Sequence, residues 1–476
     1  MRKWYTAGIA AVMTTLVGGA VVSAPLFPQK APQKPASQPP VVPAAGDYGG
    51  WMTWEEIQQK IAQWKKKYPN LVHVGTIGKT VEGRNIPLLR FSDDATANNS
   101  EPEVLLITGM HPREQAPIIC LTQLMDEILA GYGKDPRMTA LLKDRQVWVV
   151  PMVNVDGKIY DMAKGSGRNG TDKAADWRKN RRKNEDGSLG VDLNRNFPIR
   201  WGGGRQHDPL WQTDTTNTKG NIYEGTAPLS EPETEALTRF ISARKNLRSF
   251  MDIHSPLAIF YFPVHTVRTE HERYMKMAKG MQARQKRPYP ISSAAKPDTE
   301  PQPGERGGNS GLTYTWAYYT QGIYSFNFEL GTTKRERGVK GRYPTLEDIQ
   351  KEYQDNFREP MLYFLEESAK LPAITRINRQ VAADSQPQVS TKPVPGAIVE
   401  WKPPAIGGNW DWAVLVSHSP SVVVQSEYRK APVAKGFTFQ VDSGAEPGSL
   451  VHLTLYVWDK ERRLSEHQFI MQIAGN

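Results

Sequence analysis

Val104-Leu105-Leu106-Ile107-Thr108-Gly109-Met110-His111-Pro112-Arg113-Glu114 is the stretch whose reading decides the fold. Residues 104 to 108 form an apolar run with no polar alternation, which predicts a strand buried on both faces. Gly109-Met110-His111 supplies a turn, and Pro117 to Tyr132 then carries apolar residues at helical spacing. The same grammar recurs on either side. Upstream, Trp54, Ile57, Ile61 and Trp64 repeat at helical spacing, with Glu55, Glu56 and Lys65 to Lys67 on the opposite face. Downstream, a second strand is expected from Val147 to Val155, closed by the turn signal Asp156-Gly157. Ser230 and Glu233 spell a capping box for a helix carrying Leu237, Phe240 and Ile241. Strands follow at Phe250 to His254 and Ile323 to Leu330. Thr345 with Asp348 caps a last helix bearing Ile349, Tyr353 and Phe357, which Pro360 is expected to kink. Alternating strands and helices over about 320 residues predict an α/β domain with a largely buried sheet.

The flanks differ in kind. Met1-Arg2-Lys3 followed by the apolar run Ala7 to Val22 has the pattern of a secretory signal, expected over residues 1–24. Its apolar run falls short of the roughly 20 residues that span a bilayer, so no stable membrane span is expected unless the signal stays uncleaved. Export then predicts a secreted, periplasmic or envelope-associated protein. Seven prolines fall between residues 25 and 46, so 25–47 is expected to be an extended linker. The core domain is expected over 48–370 and a second linker, rich in Gln, Ser, Thr and Pro, over 371–395. Beyond it, Val451, Leu453, Leu455 and Val457 alternate with His452, Thr454, Tyr456 and Trp458. That period of two, with short strands at Ala413 to Val416, Val422 to Gln425 and Phe437 to Val441, predicts a small all-β sandwich over 396–476.

Composition narrows the chemistry. The 476 residues hold 60 Lys and Arg against 50 Asp and Glu, a formal charge of +10. The excess is spread along the chain, so it permits anionic partners without demanding nucleic acid, and none is expected. Cys120 is the one cysteine, which excludes an intramolecular disulfide framework and any Cys-rich metal site. It sits in the apolar run Pro117 to Leu121 and is expected to be buried filler. Gly78-Lys79-Thr80 lacks the earlier glycine of a phosphate loop, since His73 stands there. No Gly-x-Ser-x-Gly nucleophile elbow occurs.

Two of the nine histidines lie where a strand meets a loop inside the α/β region with charged company: His111, three before Glu114, and His254 in Met251-Asp252-Ile253-His254-Ser255. Two imidazoles and a carboxylate are the three-ligand set of a catalytic zinc site. Alone, a His-x-x-Glu pair recurs by chance. The neighbouring wording adds weight: Tyr68-Pro69-Asn70-Leu71-Val72, Glu82-Gly83-Arg84, Pro151-Met152-Val153-Asn154-Val155-Asp156-Gly157, Trp177-Arg178-Lys179-Asn180-Arg181, Asp192-Leu193-Asn194-Arg195-Asn196-Phe197, Ser230-Glu231-Pro232-Glu233-Thr234 and Ser325-Phe326-Asn327-Phe328-Glu329-Leu330.

In this order the motifs resemble the zinc carboxypeptidases of the metallocarboxypeptidase A family, M14, particularly secreted bacterial members. The resemblance covers about residues 48–370 and implies a mixed, mostly parallel sheet flanked by helices. It further implies one zinc ion per chain on His111, Glu114 and His254, with Glu329 as general base. Arg178 would polarise the scissile carbonyl, and Asn194 and Arg195 would grip the terminal carboxylate of a peptide substrate. Asp192 is a candidate partner fixing the His111 tautomer. Tyr314 and Thr315 map near the pocket for the last side chain. The family's mobile tyrosine, nine residues before Trp316, has no counterpart here: that place is Gly307. A cell-wall peptidase cutting γ-D-glutamyl–diaminopimelate bonds would use the same chassis. A peptide-binding protein with a dead metal site is the reading from another class, and the joint presence of the ligands, Arg178 and Glu329 weighs against it.

No acidic residue falls between Gly307 and Trp316, so Tyr314 and Thr315 offer an aromatic wall and a neutral polar group. An unpaired Lys or Arg side chain would be costly to bury there. Terminal Phe, Tyr, Leu or Met is therefore expected to be released faster than terminal Lys, Arg or Asp. A kcat/KM series on peptides differing only in the last residue checks this; a lead for Lys or Arg that vanishes in Glu305→Gln would trace the error to Glu305.

Overall fold

The computed structural model describes residues 51–94, 101–163, 176–198, 217–263, 268–292, 311–331, 341–374 and 395, and then 398–401, 410–417, 422–424, 428–430, 437–441, 450–459 and 464–474. The signal and first linker, most of the second linker, Glu305 and Gly307 lie outside them. Eight strands form one sheet: β1 Val72–Lys79, β2 Asn85–Phe91, β3 Glu103–Thr108, β4 Gln146–Val150, β5 Leu247–His254, β6 Ile259–Tyr261, β7 Ile291–Ser292 and β8 Tyr324–Glu329. Their order across the sheet is β1-β2-β4-β3-β5-β8-β6-β7. The central run β4-β3-β5-β8 is parallel, as is β6-β7, and the pairs β1-β2, β2-β4 and β6-β8 are antiparallel. The sheet is thus mixed and helix-flanked, as expected.

Helices α1 Trp54–Lys67, α2 Gln115–Gly131, α3 Pro136–Lys143, α4 Val155–Asp161, α5 Pro232–Ser242, α6 Arg268–Gln282, α7 Thr313–Gln321, α8 Leu346–Glu352 and α9 Arg358–Ser368 are present among the described residues. In α1, Thr53 and Glu56 close a capping box, and Trp54, Ile57, Ile61 and Trp64 are buried. Burying Ile57 and Ile61 contributes about 1.5–3 kcal/mol each, several times what helix propensity differences supply. Val104 to Ile107 are fully buried, which follows from a central parallel strand covered on both faces. On β8 the two faces are distinct. Ser325 donates from Oγ to the Tyr314 carbonyl on α7, whereas Phe326 and Phe328 meet Phe364 and Phe357 on the other side.

Three local expectations need correction. The strand begun at Val147 stops at Val150, and Val155–Asp161 is helical. Asn154 caps that helix by accepting from the Gly157 N–H, so Asp156-Gly157 opens a helix instead of a turn. Ser230 does not cap α5: Glu231 holds the N-cap position without a side-chain bond, and Pro232 starts the helix. The Ser230 hydroxyl donates instead to Glu231 Oε1 at 2.8 Å. The irregularity expected at Pro360 is a π-helical turn at Tyr353–Phe357 between α8 and α9. Pro360 has no N–H for the Asn356 carbonyl, which accepts from Gln285 Nε2 at 3.1 Å. Thr345 caps α8 as expected, accepting from the Asp348 N–H.

Towards the C-terminus the described strands are β9 Ile398–Trp401, β10 Trp410–Ser417, β11 Val422–Val424, β12 Tyr428–Lys430, β13 Phe437–Val441, β14 Leu450–Asp459 and β15 Leu464–Gln472. They pair antiparallel into a sheet of order β12-β10-β14-β15 and another of order β11-β13-β9.

Gly311 carries a further consequence. Its φ is +63°, and a Cβ there would lie 1.9 Å from the Arg195 carbonyl oxygen, a backbone atom. Gly83 has φ +86° but open space around it. Alanine at positive φ destabilises by more than about 0.4–1 kcal/mol, so both variants should melt lower. Gly311→Ala should lose clearly more than Gly83→Ala in scanning calorimetry; equal losses would mean the contact with residue 195 carries no weight.

Candidate metal centre

The centre stands at the carboxyl ends of adjacent parallel strands, where open α/β sheets place their ligands. After β3, Gly109 turns the chain at φ +71°, with Met152 so close that a side chain at 109 would strike it. The turn carries His111 and ends at Glu114, the N-cap residue of α2. Glu114 makes no cap bond with its side chain, which is turned to the histidines instead. β5 ends in His254, and in the register of β5 and β8 His254 lies beside Glu329.

His111, Glu114 and His254 are all buried, with one ligand atom from each within 4.8 Å of the others. His111 Nδ1 is 2.9 Å from Glu114 Oε1, His254 Nδ1 is 2.9 Å from Glu114 Oε2, and the two Nδ1 atoms are 3.1 Å apart. The outward nitrogens are engaged elsewhere. His111 Nε2 lies 3.0 Å from Asp192 Oδ1, and His254 Nε2 lies 2.9 Å from Asp252 Oδ1 and 3.2 Å from Asn194 Nδ2. Asp252 and Asn194 make opposite demands on that nitrogen. The Asp252 carboxylate lies nearer and carries charge, whereas only the Asn194 amide meets hydrogen-bond geometry.

With each Nε2–H turned to a carboxylate, both Nδ1 lone pairs and both Glu114 oxygens face one another. The four acceptors are only partly served, by the Ser255 N–H at 3.2 Å from Glu114 Oε2 and by Arg178 Nη1 at 3.4 Å from His111 Nδ1, and a cation or protons would satisfy the rest. Proton affinities record this. Burial raises the Glu114 carboxyl, but the charges of His111 and His254 outweigh it and hold the group well below its usual range. Burial likewise opposes the charged form of His254, yet Asp252 and Glu114 hold its imidazole well above the ordinary value. The donor set of two imidazoles and a carboxylate fits zinc.

The other expected residues surround this point. The Arg178 Nε donates to Asp192 Oδ2 at 2.8 Å, and its Nη1 reaches within 3.4 Å of His111 Nδ1. Asp192 is fully buried; burial opposes its charge, but Arg178 and His111 hold its carboxyl well below the usual range. Asp192 also caps the 3-10 turn Leu193–Arg195 through the Asn194 N–H. Asn194 Oδ1 accepts from the Thr313 N–H and hydroxyl at 3.0 and 2.9 Å. Arg195 is buried, donates from Nη1 to the Asn194 carbonyl, and keeps a buried Nε without a partner. Tyr314 and Thr315 are buried in the first turn of α7. Burial and the neighbouring Tyr261 push the Tyr314 hydroxyl upward. Glu329 Oε2 is buried without a hydrogen bond, and burial and the Glu114 carboxylate push its carboxyl up to about 7. The Leu257 N–H donates to it.

Two positions escaped the sequence reading. Asp252, two residues before His254 on one strand, shares its face, and that spacing is the signal that would have found it. Thr313, which holds Asn194, lies 119 residues away in the chain and left no local signal. In the basic run Arg178 turns to the centre, Lys179 is buried and donates to the Thr218 carbonyl, and Arg182 pairs with Glu231, so the run is not a solvated face.

Fold and site together define a candidate metal centre of two imidazoles and a carboxylate on an α/β sheet. Residues 57–359 match the zinc carboxypeptidase family, peptidase M14, and the chain belongs to it. It is similar to carboxypeptidase O of Bos taurus, 30% identical over 305 residues that cover 62% of this chain and 72% of that protein. It is also similar to a zinc carboxypeptidase of Saccharothrix mutabilis subsp. capreolus, 36% identical over 155 residues, 33% of this chain and 34% of that protein. The chain thus matches about a third of the length of that relative. Among solved structures it is similar to bovine thrombin-activatable fibrinolysis inhibitor in complex with tick carboxypeptidase inhibitor, at TM-score 0.54 and 25% identity, covering 68% of this chain and 99% of that one.

Outer partners of ligating histidines tune affinity by about 10–100-fold. Asp252→Asn is therefore expected to weaken zinc binding by that factor in competition with a chromogenic chelator. Unchanged affinity would assign the orientation of His254 to Asn194.

Proposed function

We propose that the chain is a secreted zinc-dependent carboxypeptidase that hydrolyses C-terminal residues from peptides. The observation that carries the reading is the set of convergent acceptors on His111, Glu114 and His254, with Glu329 on the next strand and two arginines alongside. Zinc held by those three residues supplies Lewis acidity, polarising a carbonyl and making water a stronger acid.

The remaining roles belong to the chain. Arg195, with a spare buried Nε–H, and Asn194 receive the substrate's terminal carboxylate, which a guanidinium fork matches well. Tyr314 and Thr315 line the space for the last side chain. Arg178 offers N–H groups to the carbonyl oxygen as negative charge develops there. Glu329 takes the proton of the attacking water at its unpartnered oxygen and returns it to the departing amine. The N-terminal pattern of charge followed by an apolar run supports export.

Glu329→Gln keeps the shape but cannot take the proton, so kcat should fall by about 10²–10⁴ while zinc stoichiometry holds. A near wild-type rate would move the base elsewhere. A strong chelator should abolish peptide release and zinc should restore it; mass spectrometry of unmodified peptides reads both. Peptides capped as C-terminal amides should be poor substrates, with the loss chiefly in KM. Equal cleavage of capped and free peptides would sink the exopeptidase reading, and cleavage of muropeptides alone would replace it with a cell-wall peptidase.

A further inference from the structure

The motif Ser230-Glu231-Pro232-Glu233-Thr234 takes no direct part in the chemistry above, yet Glu231 is fully buried. Its carboxylate is densely used. Asn180 Nδ2 donates to Oε2 at 2.6 Å, Arg182 Nε lies 2.7 Å from both oxygens, and the Ser230 hydroxyl donates to Oε1 at 2.8 Å. Arg182 also donates to the Ser230 carbonyl at 2.8 Å. Burying a carboxylate is costly unless it is paired and hydrogen-bonded, so this one fixes its partners closely.

Those partners lead to the site. Asn180 Oδ1 accepts from the Val191 N–H at 2.9 Å, and the Asn180 N–H donates back to the Val191 carbonyl at 2.9 Å. The clamp closes the base of the loop from Arg178 to Asp192, the two residues that pair with each other beside His111. The main chain of the same turn holds the other arginine. Asn196 Oδ1 accepts from the Glu231 N–H at 3.2 Å and from the Thr234 hydroxyl at 2.6 Å. Asn196 Nδ2 donates to the carbonyls of Glu224 and Ala227 and to the Ser230 hydroxyl. Asn196 directly follows Arg195, whose N–H is tied to the Asp192 carbonyl at 2.9 Å.

We propose that Glu231 is a positioning residue that sets the placement of Arg178 relative to Arg195. Its carboxylate acts through Asn180 on the Arg178 loop, and its N–H acts through Asn196 on the Arg195 turn. The proposal rests on the roles given to the two arginines above. The two attachments use mostly different atoms: changing the carboxylate disturbs the Arg178 arm and leaves the backbone bond to Asn196 in place, reaching the Asn196 arm only through the Ser230 hydroxyl, which donates to Glu231 Oε1 and accepts from Asn196 Nδ2.

The test is a double-mutant cycle on the full chain, with kcat and KM for an unmodified peptide and zinc content measured for each protein. Arg178→Lys and Arg195→Lys come first; if neither changes kinetics, the reading of function fails before Glu231 is at issue. Glu231→Gln leaves one acceptor oxygen for the three donors Asn180, Arg182 and Ser230 and removes the charge facing Arg182, so the hold on Asn180 is weakened. It should lower kcat by about 10–100-fold, the range for small misplacements of a positioning group, with little change in KM. That loss should largely vanish in the Arg178→Lys background and persist in full in Arg195→Lys, because only groups acting through one another are non-additive. Asn196→Ala should show the mirror pattern, raising KM in wild type and not in Arg195→Lys. Should Glu231→Gln fail to fold, Asn180→Ser, at the other end of the same bond, replaces it in the cycle. An equal fold-loss from the 231 or 180 variant in all three backgrounds overturns the proposal, since that is what general destabilisation produces.

Discussion

The meeting of four acceptor atoms between His111, Glu114 and His254 is the constraint on which the rest of the site depends. Lone pairs at about 3 Å repel unless something positive lies among them. Arranging them so requires that each imidazole be prevented from turning its N–H inward, and the structure does this with carboxylates on the far side. Asp192 takes the His111 Nε2 and Asp252 faces the His254 Nε2. Those carboxylates are themselves buried and need partners, which is why Arg178 lies against Asp192. One requirement therefore draws in the next, and the carboxylate that engages His111 Nε2 is the one that holds Arg178 in place.

Precision at such a point comes from where the side chains are mounted. His254, Glu329 and Asp252 stand on neighbouring parallel strands whose register is locked by ladder hydrogen bonds. Arg178, Asp192, Asn194 and Arg195 stand on irregular chain, and every one of their turns is tied by buried side-chain bonds: Asn180 to Val191, Asp192 to Asn194, Asn196 to the start of α5. The loops need the polar clamps because they lack a ladder.

The sequence made the sheet legible where periodicity is strong, at β3, β5, β8 and the apolar face of α1. It misled where a polar residue serves tertiary structure instead of its own neighbours. Ser230 and Glu233 have the spacing of a capping box, but Glu233 accepts from the Val81 N–H and Asn180, 152 and 53 residues away, and Ser230 serves Glu231 and Asn196. Val147 to Val155 is apolar throughout, so its periodicity could not show that the strand ends at Val150 and a helix capped by Asn154 begins. The site was legible as wording, residue by residue, because its members fall at strand ends next to glycine and proline. Asp252 stands two residues before His254 yet carries no mark of its own in the sequence, since a buried aspartate on a strand acquires meaning only from what faces it.

Charge arithmetic ties the centre together. Glu114, Asp192, Asp252, Glu329 and Glu224 bring five carboxylates, and Arg113, Arg178 and Arg195 bring three guanidiniums, so carboxylates outnumber guanidiniums by two among these groups. The same excess shows in proton affinity: His254 and Glu329 both hold protons more tightly than their ordinary values. A dication is what balances the sum, and its charge would act most strongly on the ligand Glu114 and on Glu329 beside it. The substrate's own carboxylate would add a further negative charge at Arg195, close to Asp192 and Glu224. A site that accepted an anion so near Asp192 and Glu224 would have to hold its cations in fixed places, because charge interactions strengthen as the local dielectric falls. Rigidity around the arginines is therefore a condition of binding as much as of rate, and it explains why so many buried hydrogen bonds surround residues that themselves have to keep donors free.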